Sequence, residues 1–310
     1  MNKKEQFMTK TIVVWLGALI CCALWGSAFP CIKLGYQWFL IPSDAIGTQI
    51  LFAGCRFTLA GLLAILIGSI LRRKLLLPQK ESVGKIVKLS MLQTVAQYIF
   101  FYIGLANTSG VKASIIEGVN VFIAILVASL IFQQEALTVR KMIGSIIGFA
   151  GVVLVNVAGN GISMTFAWNG EGFIFLSTIA YAFSSVLLKR YSKEEDPVVL
   201  SGYQFVAGGV IMMLFGLLMG GRLTVFTEKG IAMLVYLALV SAVAYSLWGI
   251  LLKYNPISRV AVFGFMNPVF GVILSAILLD ESGSLGTTCV ISLVLVCVGI
   301  YIVNRQEKEK

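Results

Sequence analysis

The chain has 310 residues, of which 58% are hydrophobic and 12% charged, with a formal net charge of +10. A soluble domain averages about 45–50% apolar and about 25% charged residues, so a soluble enzyme, a DNA-binding domain and a disordered protein are poor readings of this chain. The basic balance fits either nucleic acid or Lys and Arg at the cytoplasmic ends of membrane helices.

A helix needs about 20 mainly apolar residues to cross about 30 Å of hydrocarbon. Ten stretches of that kind are predicted, at Ile12–Lys33, Thr48–Leu71, Ile86–Ala106, Val111–Phe132, Val139–Val157, Gly172–Lys189, Val198–Gly220, Ile231–Leu252, Ser258–Leu279 and Leu285–Val303. The gaps hold turn formers, as in Ile41-Pro42-Ser43-Asp44, Ala158-Gly159-Asn160-Gly161 and Asn255-Pro256. Barrel strands would alternate polar and apolar residues over about ten positions, and these runs do not. The first stretch continues past signal-peptide length with no typical cleavage site and is read as a retained helix. Pro30 is expected to kink or break it.

Histidine is absent, which excludes His-dependent triads, His-ligated haem and most catalytic zinc sites. The six cysteines all lie in apolar runs without metal-site or disulfide spacing, and are expected to be small buried side chains. No metal or cofactor is expected. A GxxxxGK[ST] phosphate loop does not occur.

Placing the N-terminus in the cytoplasm puts about 19 of the 24 Lys and Arg residues on the inside, against Lys33, Lys112, Arg222 and Lys229 outside and Arg56 within a span. That asymmetry is an orientation signal and argues against a nucleic-acid partner. With ten spans, both termini are then cytoplasmic.

The two halves resemble each other in order. Gly54-Cys55-Arg56-Phe57 aligns with Gly202-Tyr203-Gln204-Phe205, Trp25 and Lys33 with Tyr181 and Lys189, and Gly151 to Asn156 with Gly299 to Asn304. Ile131-Phe132-Gln133-Gln134-Glu135 aligns with Leu278-Leu279-Asp280-Glu281. Five spans per half is an odd number, so the second copy is inverted, an arrangement typical of secondary transporters with a site near the midplane. The expected fold is an all-α integral membrane protein of ten transmembrane helices in two inverted five-helix repeats, 12–157 and 171–304.

These residues resemble the drug/metabolite transporter superfamily, and within it the EamA family. The marks are an acidic residue after the fourth span of each half (Glu135, Glu281), Ala23-Leu24-Trp25-Gly26-Ser27-Ala28-Phe29, Phe52-Ala53-Gly54-Cys55-Arg56-Phe57 and Asn267-Pro268-Val269-Phe270. The family's fourth-span proline is replaced by Phe122, the position equivalent to Pro268. The resemblance implies a ten-helix carrier, often an exporter of amino acids or other small metabolites, working by alternating access.

Ionisable groups in hydrocarbon are costly, and each is by default a functional hypothesis. Glu117 lies well inside the fourth span, with Asn120 and Ser114 three residues to either side and so on one helix face. Its repeat equivalent is Phe263, so symmetry does not demand it. Three roles are open to it: binding a substrate ammonium, carrying a coupling proton, or pairing for structure, with Lys112 as the nearby cation. Arg56 either recognises a substrate carboxylate or locks helices through backbone carbonyls; the resemblance favours the second. Gln97, Tyr245, Trp248, Asn267, Trp25 and Tyr181 are placed with Glu117 and Asn120 as candidate substrate contacts, against the bland alternative of packing or an interfacial belt. Glu135 and Glu281 are expected to cap the helices that follow them. Lys33 and Lys189 are expected to snorkel to the headgroups. Gly54, Gly61, Gly144 and Gly148 permit close helix approach, for the folding of a monomer or a homodimer seam.

The sequence thus predicts a multi-pass protein of the cell membrane whose partners are the lipid bilayer and a small-molecule substrate. A drug or lipid-linked flippase of the same superfamily is the alternative. A membrane-embedded enzyme would need clustered acids or a nucleophile–base pair within the spans, and only one mid-span acid is present.

Overall fold

The computed structural model describes residues 3–108, 110–157, 166–278 and 287–305. Asp280 and Glu281 therefore lie outside the described residues, as does the turn 158–161. Among the described residues there is helix and no strand.

A short helix, Lys3–Met8, precedes α1 (Thr11–Trp38), α2 (Ile46–Arg72) and α3 (Lys80–Ala106). The fourth segment, α4, is built from Gly110–Gly118, Asn120–Leu126 and a wider turn at Val127–Ile131. Then come α5 (Val139–Val157), α6 (Trp168–Tyr191), α7 (Pro197–Leu218), α8 (Glu228–Tyr254), α9 (Ile257–Leu278) and α10 (Thr287–Asn304). Eight of these helices are long and apolar enough to cross a membrane, and Ile115–Ile131 is a shorter apolar one. Helices satisfy their own backbone groups, the condition for crossing hydrocarbon.

Pro30 does not break α1, which runs unbroken through it. Its ring only removes one N–H, and the helix is held on both sides of it by packing against α8 and α9. The α4 and α9 helices are the irregular ones. The α4 helix is interrupted at Val119, whose N–H reaches back only three residues, to Ile116 O at 3.0 Å. The α9 helix tightens to a three-residue turn over Val262–Phe265, just before Pro268. The two irregularities fall at equivalent places, although only one half has the proline.

Helix association in a membrane depends on close packing, because lipid is as apolar as leucine. The α2 helix runs along α7, and α5 along α10. A Cβ added to Gly61 would lie 2.4 Å from the Gly202 carbonyl, and one added to Gly54 would lie 2.9 Å from that of Gly209. The alignment equates Gly54 with Gly202, and hence Gly61 with Gly209, so this crossing maps onto itself when the halves are exchanged. Phe57 and Phe205, also equivalent, stack at 5.2 Å on the same crossing. Gly144 meets Gly299 and Gly151 meets Ser292 in the same manner. These glycines therefore serve contacts within the chain.

The remaining helices form two interlaced groups. The α1 helix packs on α8 and α9, and α6 packs on α3 and α4. Each group mixes helices from both halves of the sequence. Cysteine burial is less complete than expected: Cys297 is exposed on α10 and Cys55 half-buried on α2. Cys22 donates to Phe263 O at 3.1 Å and Cys21 to Ala244 O at 3.4 Å, so each acts as a weak buried donor.

Candidate functional site

Between the two interlaced groups lies a cavity of about 140 Å³. That is close to the roughly 150 Å³ that admits a benzene-sized molecule. One wall is α1 (Trp25, Ala28, Phe29, Ile32), α8 (Tyr245) and α9 (Gly264, Asn267, Pro268). The opposite wall is α3 (Gln97, Tyr98, Phe101), α4 (Glu117, Gly118, Asn120) and α6 (Ser177, Thr178, Tyr181), with Arg56 reaching in from α2.

Local backbone irregularity places the polar groups. A run of wide helical turns at Ser90–Ala96 delivers Gln97 and Tyr98 to the wall. The interruption at Val119 separates Glu117 from Asn120, and both face the cavity. The side chain of Ser114 is outside the described ones. The tightened turn of α9 ends just before Asn267.

Seven of the eight anticipated contact residues line this cavity: Trp25, Gln97, Glu117, Asn120, Tyr181, Tyr245 and Asn267. Trp248 does not. It lines a smaller adjoining space of about 10 Å³ that also touches Asn120, Tyr181 and Asn267, and it stands edge-on to Trp25 at 5.0 Å. Tyr245 is also edge-on to Trp25, at 5.0 Å, and shares a 2.8 Å hydrogen bond with the Tyr98 hydroxyl. The rings are therefore fixed by one another.

Several polar atoms here have no protein partner. The Glu117 carboxylate is half-buried, and no hydrogen bond or ion pair reaches it among the described residues. Buried Gln97 Oε1, Asn267 Oδ1 and Trp25 Nε1 also lack partners. An unmade hydrogen bond at a buried polar atom costs about 1–3 kcal/mol, so a polar solute or water is favoured at each.

Lys112 is not the partner of Glu117. It is five residues away, on another face of the helix, and pairs instead with Glu171 at 2.7 Å. Glu171 also accepts from Thr108 Oγ1 and from the Ala167 N–H, each at 2.8 Å. Nor does Arg56 hold backbone carbonyls. Its Nε and one terminal nitrogen donate to Ser241 Oγ at 3.2 and 2.9 Å, and the guanidinium stands 5.1 Å from the centre of the Phe57 ring. Arg56 is 3% exposed, and that exposure faces the cavity. Gln93, by contrast, is used for packing: its Oε1 accepts from Gln204, which in turn accepts from Thr94.

Sequence reasoning did not single out Ser177, Thr178 and Phe101. The Ser177-Thr178 pair lies about one turn before Tyr181 in an apolar helix, a spacing that was readable. Thr178 is already occupied, donating to Phe175 O at 2.7 Å. No cluster of three or more His, Cys, Asp or Glu suited to a metal ion occurs among the described residues.

Two other expectations are corrected. Glu135 does not cap α5. Its oxygens accept from the Ser258 N–H at 3.0 Å and Ser258 Oγ at 2.9 Å, so it caps the start of α9 from across the interface. Lys189 does not snorkel outward; its Nζ donates to the backbone carbonyl of Asn255 at the end of α8. In both cases an unpaired helix end lies nearer than solvent.

Known proteins match along nearly the whole chain. The EamA-like transporter family matches residues 12–157 and 168–305. An uncharacterized transporter of Archaeoglobus fulgidus is 29% identical over 300 residues, covering 94% of this chain and 99% of the relative. The uncharacterized transporter YvbV of Bacillus subtilis is 27% identical, covering 91% of each chain. The uncharacterized inner membrane transporter YedA of Escherichia coli is 27% identical over 90% of this chain and 89% of its own. A solved crystal structure superposes with a TM-score of 0.77 at 16% identity, over 93% of this chain and 95% of that one, a likeness of fold. With apolar helices able to span a bilayer and a cavity between them that carries polar groups in its walls, the chain is a multi-pass membrane protein that belongs to the EamA-like transporter family.

Proposed function

We propose that this protein is a secondary transporter of the cytoplasmic membrane that exports small zwitterionic or amphipathic metabolites, amino acids among them, by alternating access. In this reading it has ten spans in two inverted repeats, 12–157 and 171–304, with both termini cytoplasmic. The self-mapping crossings of α2 with α7 and α5 with α10 support the repeat. Glu117, Asn120, Gln97, Asn267, Trp25, Tyr181 and Tyr245 contact the solute, with Trp248 behind Trp25.

The observation that carries the reading is the cavity itself. It lies between helix groups that each mix both halves, and its oxygens on Glu117, Gln97 and Asn267 have no protein partner. Such acceptors suit a solute rich in N–H donors, and the rings offer apolar area and cation–π attraction. Glu117 is also the candidate proton carrier, as an ionisable group well inside a span.

Flux in proteoliposomes against a panel of amino acids, nucleosides and lipids tests the reading. Counterflow of small amino compounds is expected; absence of flux across the panel would sink it. Full pH-gradient-driven accumulation by Glu117→Gln would remove Glu117 as proton carrier while leaving the transport reading intact.

A further inference from the structure

The cavity does not end at Asn120 and Tyr181. The smaller space beside it continues past Ser185 to Leu252 and Ile257. Ser185 Oγ is buried there, beside Tyr181. The passage stops under the turn between α8 and α9, at Asn255-Pro256-Ile257-Ser258. Two charged side chains hold that turn, and both come from the opposite wall. Glu135 follows α4 and binds Ser258 through both oxygens, at 3.0 and 2.9 Å. Lys189 is on α6 and binds the Asn255 carbonyl. The charges match the helix ends they meet, an anion on the first N–H groups of α9 and a cation on the last carbonyls of α8. The Glu135 side chain is 7% exposed and is backed by Lys141 at 3.5 Å.

Several other polar ties at this end stay within one packing unit. Arg72 pairs with Asp196 at the ends of α2 and α7, and Lys85 of α3 pairs with Glu194 just after α6. Asn255 Nδ2 donates to Met8 O, and Arg259 to Thr11, at the foot of α1. Unlike these ties, the Glu135 and Lys189 bonds join the α3–α4–α6 group to the α1–α8–α9 group at this face.

We propose that Glu135 and Lys189 form the gate of the basic face, a clasp on the α8–α9 turn whose release joins the central cavity to that face through the passage at Ser185. This rests on the transport reading. It adds that the bodies which part are the two interlaced groups, not the two halves of the sequence. The clasp is closed in the structure described, so the passage is pinched.

A reporter thiol tests it without any substrate. Ser185→Cys is placed in a chain with Cys55→Ser and Cys297→Ser, leaving only buried native cysteines. A membrane-impermeant, charged methanethiosulfonate is applied to each face of the membrane in turn. Labelling from the basic face is expected to be slow with the clasp intact. It should rise about tenfold in Glu135→Gln or Lys189→Gln, the scale of one lost charge-assisted hydrogen bond. Ser258→Ala, which keeps the backbone N–H bond, should give a smaller rise. Labelling from the opposite face should fall or stay level; a rise from both faces would mean a loosened fold and overturn the clasp. Unchanged labelling from the basic face in both charge variants would overturn it too. Failure of the transport reading is a separate result, an absence of flux across the solute panel with the labelling pattern retained.

Discussion

The helix crossings and the cavity obey different rules. The α2–α7 crossing reproduces itself when the halves are exchanged, with Gly54 on Gly209, Gly61 on Gly202 and Phe57 on Phe205. The cavity breaks that exchange at its charged positions. Glu117 has Phe263 as its counterpart and Arg56 has Gln204. Phe263 and Gln204 are consumed in packing, Phe263 beside Trp15 and Gln204 bonded to Thr94 and Gln93. Packing of two copies gains from symmetry, because one close-fitting surface is used twice. A small solute has no two-fold axis, and a site shaped for it must lose the symmetry.

The largest expected effect breaks the symmetric part. Gly61→Leu and Gly209→Leu should each abolish monodisperse, folded protein in detergent gel filtration, and to the same degree. The added atoms would meet backbone at 2.4 Å from Gly202 O and 2.5 Å from Thr58 N, with the side chains of Val206 and Thr58 close beside it. If one variant folds well and the other does not, the crossing is not the self-mapping one described. Next is Lys112→Met, which leaves Glu171, 5% exposed, without its cation. Stripping one partner from a buried pair costs about 3–5 kcal/mol, and a clear fall in Tm is expected.

The asymmetric part is sharpened by a paired test. Glu117→Gln should lower flux by about tenfold or more, as expected for a lost charged contact, with Tm unchanged or raised. Phe263→Leu should do the reverse, costing about 1 kcal/mol in stability with flux retained. Equal effects on flux would erase the distinction between the two positions. Asp196→Ala should cost about 1–2 kcal/mol, because Asp196 caps α7 by accepting from the Val198 N–H at 2.9 Å.

The smallest effect is a pH dependence at the basic face. The Lys85 ammonium holds the Glu194 carboxyl below its ordinary value of 4.5. A depressed carboxyl pKa contributes stability above the unfolded value and loses it as pH falls through the folded one. Glu194→Gln should therefore lower Tm slightly at neutral pH, with the difference vanishing as pH falls below about 4.5; the pair is solvent-exposed, so the effect is small.

Helix placement was legible because hydropathy is a local signal, and α2 and α5 start or end within two residues of the expected stretches. The cavity was legible to the extent that polar groups in apolar helices are rare; Glu117, Asn120 and Asn267 stood out for that reason. What distance in sequence hid was pairing. Lys112 finds Glu171 at 59 residues' separation and Glu135 finds Ser258 at 123. Neither partner could be chosen without the fold, and the nearest candidate in sequence was wrong both times. The interruption of α4 was hidden for another reason. Phe122 stands where the other half has Pro268, and the break comes at Val119, with no proline there to announce it.

The interlacing of the helices has a consequence for biosynthesis. The α1 helix leaves the ribosome first, yet its packing partners, α8 and α9, leave among the last. Its inward face, with Cys21, Cys22, Trp25 and Ser27, must wait in lipid until nearly the whole chain has been inserted. The first five helices made alone would keep that face uncovered and their glycine seams unfilled, so they form no finished unit. Maturation of this protein is thus a late, concerted event, and a stop codon anywhere before α9 leaves the chain unable to close on itself.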